Sequence, residues 1–137
     1  EVNEMLNTLH ITTFINRTPP DVYAFASNPE NRPSWAAGLA RTEVTKPGDA
    51  WVAEAPFGKV RITFAPANNF GVLDHDVQLE SGVVVHNPMR VVPNGKGSEF
   101  TFTLFQQAGM LQQQFEEDAQ AVTHDLRTLK TILESES

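Results

Sequence analysis

Proton transfer or metal binding in this chain would fall to four histidines and a scatter of carboxylates. Cysteine is absent, and no G-x-S-x-G, P-loop or dinucleotide fingerprint is present. His75 is the position of most interest. The turn Glu80-Ser81-Gly82, read as a three-residue loop with glycine in the left-handed position, pairs Leu79 with Val83 and sets His75 opposite Asn87. Leu73, His75, Val77 and Leu79 then share an apolar face with Val83, Val85, Asn87 and Met89. An imidazole beside an amide on such a face is able to hold a ligand oxygen. It is also able to act as a general acid or base in enolisation or dehydration. The competing assignment is a core histidine that locks the hairpin, or, after a one-residue slip, a surface histidine beside Asp74 and Asp76. His86 falls on the opposite face across from Asp76, and His10 and His124 lie far along the chain. No metal site and no cofactor are therefore expected, since a stable metal site needs three or four converging ligands.

A binding site needs walls as well as polar groups. The expected lining is Trp35, Trp51, Phe64, Met89, Phe100, Phe102, Phe115 and Val122, together with His75 and Asn87. Thr13 and Thr42 face the same side and could anchor a polar ligand atom. Ordinary core is the alternative for the aromatic residues, because core and cavity wall would share one face here.

The elements that must position these residues follow from local pattern. Leu9 to Asn16 alternates with the period of a strand. Thr18-Pro19-Pro20-Asp21 is a helix start: Thr18 caps, Pro19 suits the first turn, and Asp21 sits at the positive end of the dipole. That short helix ends at Asn28-Pro29, and a second is expected from about Pro33 to Leu39. From Arg41 to Gln106 the pattern is β throughout, with turns at Pro47-Gly48, Phe57-Gly58, Glu80-Ser81-Gly82 and Asn94-Gly95. Counting from the turns pairs Val44 with Trp51, Trp51 with Phe64, and Met89 with Phe100. On the outer face it pairs Arg90 with Glu99 and Asp76 with His86. Leu111, Phe115, Val122, Leu126, Leu129 and Leu133 recur at helical steps, which predicts a final helix of about 24 residues, on the order of 36 Å long. Its other sides, with Gln112 to Gln114, Glu116, Glu117, Asp118 and Gln120, are expected to face water.

Charge and composition exclude several classes of function. Seventeen acidic against ten basic residues give a net charge of −7, which argues against a nucleic-acid partner. Over half of the excess lies in Leu111 to Ser137. With 40% hydrophobic residues the chain has the makings of one core: residues 1–8 are expected to be a poorly ordered N-terminal extension and 9–137 a single domain. No apolar run approaches the roughly 20 residues of a membrane span, and Glu1 to Thr8 lacks the pattern of a signal peptide, so a cytoplasmic location is expected.

Ile11-Thr12-Thr13-Phe14-Ile15-Asn16-Arg17-Thr18-Pro19-Pro20-Asp21-Val22-Tyr23, then Asn28-Pro29-Glu30-Asn31 and Trp35, resemble the opening of the START-like (Bet v 1-like, SRPBCC) superfamily, in particular its polyketide cyclase/dehydrase branch. The resemblance continues through the strands, the Gly95-Lys96-Gly97-Ser98 hairpin and the terminal helix, from about Leu9 to Glu134. It implies an α+β helix-grip fold: a seven-stranded curved antiparallel sheet wrapped around a long C-terminal helix, with two short helices between strands 1 and 2. It also implies binding of a small apolar or aromatic ligand, such as a lipid, polyketide or quinone, between the sheet and that helix. The alternatives are a cyclase, dehydratase or aromatase working in the same cavity, with His75 moving a proton, and a protein-interaction module or homodimer. No family-wide catalytic motif maps onto this chain. The acidic helix favours a neutral or weakly polar ligand over an anionic one.

Overall fold

The computed structural model describes residues 5–36, 51–55 and 58–135. In chain order these form β1 (Thr8–Ile15), α1 (Pro19–Ala26), a 3-10 turn (Pro29–Asn31), α2 (Arg32–Trp35), β2 (Trp51–Ala55), β3 (Gly58–Phe64), β4 (His75–Gln78), β5 (Val84–Asn87), β6 (Met89–Asn94), β7 (Gly97–Phe105) and α3 (Gln112–Ser135). The architecture is the expected antiparallel β-structure gripped around a long C-terminal helix. Thr18 caps α1 as read from the sequence, its hydroxyl accepting from the Asp21 N–H at 3.4 Å, and Val22 and Ala26 turn that helix's apolar face inward. The expected strand at Arg41 to Lys46, its pairing with Trp51, and the end of the second helix at Leu39 lie outside the described residues.

One continuous sheet was expected, whereas the described strands form two: β1-β7-β6 and β2-β3-β4-β5. The division falls at Pro88, between β5 and β6. The Pro88 carbonyl accepts from the Thr103 N–H at 3.0 Å, and main-chain bonds cross the division just beyond it, from the Leu73 N–H to the Met89 carbonyl at 2.8 Å and from the Val91 N–H to the Gly71 carbonyl at 3.0 Å. A side chain adds to these, for Asp74 accepts from the Met89 N–H at 2.9 Å and from the Arg90 guanidinium at 2.9 and 2.7 Å.

The registers depart from the turn counts in an instructive way. The β4–β5 hairpin closes as expected, with His75 opposite Asn87 and Asp76 opposite His86. In the other two hairpins the pairing is displaced by two residues: Trp51 stands opposite Ile62 rather than Phe64, and Met89 opposite Phe102 rather than Phe100. A two-residue displacement preserves every face, because the side-chain period is two. At the β6–β7 turn the centre is Gly95-Lys96, not Asn94-Gly95. Only Gly95 there has a positive φ, of 59°, which suits glycine at the first central position of a II′ turn. At the β2–β3 turn the ladder closes with Ala55 opposite Gly58. The expected Arg90–Glu99 pair is consequently replaced: Arg90 bonds Asp74, and Glu99 accepts from Asn94 at 2.8 Å.

The larger core joins Ile15, Val22, Trp35, Phe100, Phe115, Leu126, Leu129 and Leu133. A smaller cluster of Val60, Ile62 and Val77 lies in the four-stranded sheet.

Candidate functional site

Between β4–β5, the junction of β6 and β7, α2 and the first half of α3 the packing leaves a cavity of about 650 Å³, well within the range of small-molecule sites. Val77, Leu79, Val83 and Val85 form one wall, Met89, Phe102 and Leu104 the floor, and Ala121, Val122 and Leu126 the helix side. The segment Gln107 to Met110 closes one end. Hydrogen bonds hold that segment: the Met110 N–H donates to the Gln107 carbonyl at 2.9 Å, and Gln106 Nε2 donates to the Met110 carbonyl at 3.0 Å. Val83 belongs to the wall and is 51% exposed, so the β4–β5 turn forms part of the mouth.

Of the residues expected from sequence, Trp35, Asn87, Met89, Phe102 and Val122 line this cavity. Phe100 lies behind it, meeting Trp35 edge-on at 6.2 Å between ring centres. Phe115 is buried in the larger core, and Trp51 and Phe64 pack against the smaller cluster. His75 is buried but is not part of the wall, since the rings of Phe64 and Phe102 stand 5.8 and 6.4 Å from it. Thr13 is also absent from the wall, and Thr42 lies outside the described residues.

The principal residue that the sequence reading passed over is Arg32. Pro33 suits the first turn of α2, and the three-residue step from Arg32 to Trp35 sets both on one side of it. Asn31 secures the approach by donating to the Phe25 carbonyl at 3.1 Å. Arg32 is 3% exposed and contributes to the cavity wall. Its guanidinium carbon lies 5.5 Å from the ring centres of both Trp35 and Phe64. Nη2 makes a long, 3.4 Å hydrogen bond to His75 Nε2. Nε and Nη1, like Trp35 Nε1, are buried without a hydrogen-bond partner.

These contacts define the state of His75. Its Nδ1 lies 3.2 Å from the Leu73 carbonyl, which can only accept, so Nδ1 carries the proton and Nε2 accepts from Arg32. Burial first, then the Arg32 cation, pushes its pKa down to about 3. The ring is neutral with both nitrogens engaged, an arrangement that orients Arg32. Burial lowers the Arg32 pKa to about 10, against the opposing influence of the Asp125 carboxylate, and the guanidinium stays charged at neutral pH.

Gln114, exposed as expected, and the partly exposed Asp118 and Asp125 also border the cavity. Steps of four and three residues from Asp118 through Val122 to Asp125 explain this, since they follow a single helical stripe. The spacing is visible in the sequence, but a stripe traced through apolar residues skips its carboxylates. Gln114 Nε2 donates to Asp118 at 2.9 Å. Among the described residues no group of three or more potential ligands could hold a metal ion, and no helix is long and apolar enough to cross a membrane.

A family model described as polyketide cyclase/dehydrase and lipid transport matches residues 8–134. No curated protein matches the chain in sequence at a significant level. Among solved structures the fold is similar to Ara h 8.0201, with TM-score 0.69 and 10% identity over 96% of this chain and 99% of that one. It is also similar to the Aha1 dimer of Colwellia psychrerythraea, with TM-score 0.71 and 10% identity over 93% and 96%. DynU16, from the dynemicin biosynthetic locus, aligns with TM-score 0.69 and 12% identity over 93% of this chain. The chain spans about half of DynU16, 47% of its length. At these identities the likeness is one of fold.

Proposed function

Because the chain belongs to the polyketide cyclase/dehydrase and lipid transport family, we propose that it binds a small apolar or aromatic molecule in the cavity between β4–β5 and α3. The observation that carries this reading is the cavity itself, about 650 Å³ with walls built mainly of valine, leucine, methionine and phenylalanine. A ligand that buries ~200 Å² of apolar surface there would gain roughly 5 kcal/mol before entropic costs. Met89, Phe102 and Val122 supply apolar contact, Asn87 a polar one, and the exposed Val83 the entrance. His75 takes no proton-transfer role in this reading, because it is neutral, occupied at both nitrogens and set back from the wall.

The test is titration with the neutral fluorophore N-phenylnaphthylamine. The native protein is expected to enhance its emission saturably. Val122→Trp, which fills the cavity from α3, is expected to abolish the enhancement while leaving the unfolding transition cooperative. Equal enhancement by a folded Val122→Trp protein would sink the proposal.

A further inference from the structure

Resting on that cavity reading, we infer that the ligand carries an adjacent hydrogen-bond donor and acceptor, as in the N–H and C=O of a lactam, and that Asn87 reads this pair far from the mouth. Asn87 lines the cavity and is 6% exposed. Among the described residues its amide has no hydrogen-bond partner, and neither Oδ1 nor Nδ2 is sealed away as Arg32 Nε and Nη1 and Trp35 Nε1 are. Buried amides are seldom left so. The polar residue across the ladder, His75, cannot serve it, for Nδ1 is given to the Leu73 carbonyl and Nε2 to Arg32. Its neighbours on the same strand face, Val85 and Met89, are apolar wall residues.

Position and geometry narrow the ligand group. Val83, Val85, Asn87 and Met89 alternate along one strand face, and exposure falls from 51% at Val83 to 6% at Asn87 and 2% at Met89. Four residues of extended chain place the amide about 13 Å inward from Val83. The ligand therefore enters polar end first, with its apolar body against the valines. An amide presents its donor and its acceptor side by side in one plane. A ligand acceptor alone, such as an ether or ketone oxygen, pairs with Nδ2 and leaves Oδ1 desolvated without a partner, and a single hydroxyl serves one of the two at a time. An adjacent donor and acceptor satisfy both, the two-point pairing by which asparagine also reads a nucleobase edge. Rotating the amide to exchange Oδ1 and Nδ2 presents the same pair in reverse order, which a lactam meets by turning over.

Displacement of N-phenylnaphthylamine by two isomers of equal size tests this: 4-methyl-2-quinolone, whose lactam edge is free, and 1-methyl-2-quinolone, whose donor is replaced by the methyl group. With the native protein the 4-methyl isomer is expected to displace the fluorophore at about tenfold lower concentration, the scale of one buried acceptor left unpaired. Asn87→Leu is expected to bring the two isomers together and to tighten 1-methylnaphthalene, which has neither group. Equal displacement by the isomers, displacement by neither, or a preference that survives Asn87→Leu would overturn the inference and leave Asn87 a lining residue without selectivity. If Asn87→Leu does not fold, Asn87→Ala takes its place, and the native ratio still decides. Failure of the native protein to bind N-phenylnaphthylamine is a different result: it removes the cavity reading, and this inference with it.

Discussion

Helix α3 meets two different surroundings along its length. Toward its C-terminal end Leu129 and Leu133 are 0% and 1% exposed and pack with Ile15 and Phe100 in a closed core. Toward its N-terminal end the same stripe continues through Asp118, Val122 and Asp125 and borders a void. The helical spacing is unbroken, so periodicity does not separate the two halves. Chemistry does. Leucines draw the C-terminal half onto β1, whereas carboxylates at 118 and 125 cannot be driven into an apolar core without a large desolvation cost. The sheets opposite differ as well: β1 and β7 pair along eight residues, while β5 and β6 part at Pro88. A core and a cavity can thus be built from one helix by changing two side chains in its stripe.

The contrast can be broken or sharpened by experiment. Leu129→Ala is expected to lower stability by about 2–5 kcal/mol, and Val122→Ala by less than about 1 kcal/mol, because the second truncation enlarges a space that already exists. Urea unfolding measures both, and similar costs would erase the distinction. His75 supplies the next largest effect. Its native pKa of about 3 lies below the ordinary 6.5, so as pH falls below 6.5 the unfolded chain takes up a proton that the native state refuses. Stability present above that pH is then lost, by about 2 kcal/mol on reaching pH 5. Asp74 and Glu134, held below the ordinary carboxylate range by hydrogen bonds from Arg90 and Lys130, lose their contributions only at lower pH. His75→Gln should flatten the unfolding curve between pH 6.5 and 5, and an unchanged slope would remove His75 as its source.

Asp118→Leu extends the leucine stripe into the cavity half. It is expected to raise stability by about 1 kcal/mol and to weaken N-phenylnaphthylamine binding; destabilisation instead would mean that the carboxylate is not what holds this half open. The smallest effect belongs to the bridge between the sheets. Arg90→Ala removes an ion pair whose side chains are 52% and 36% exposed, and thermal unfolding should register no more than about 1 kcal/mol.

The identity of the elements was legible in the sequence, and so was the parity of each face. Thr18-Pro19-Pro20-Asp21 reports a helix start and Leu111 to Leu133 a long amphipathic helix because capping and periodicity are local properties. The β4–β5 pairing was readable for the same reason: a three-residue turn with Gly82 at φ 94° sets its own register. Five of the ten expected lining residues reach the cavity, and the others are buried or pack against the core clusters instead. Alternation says which side a residue is on, not how far away the opposite layer lies.

What only the tertiary structure decided is non-local. The two-residue displacements at β2–β3 and β6–β7 keep every face and so leave no trace in hydrophobic pattern. Nothing in the local sequence marks Arg32 out. It becomes a buried donor only because α2 folds against the sheet and His75 offers it a neutral ring nitrogen. Asp118 and Asp125 border a cavity only because the opposite sheet stands away from them. Local sequence determined the elements and their sides because backbone hydrogen bonding and side-chain period act over a few residues. The cavity and its buried cation arose from distances between elements far apart in the chain, which no local pattern encodes.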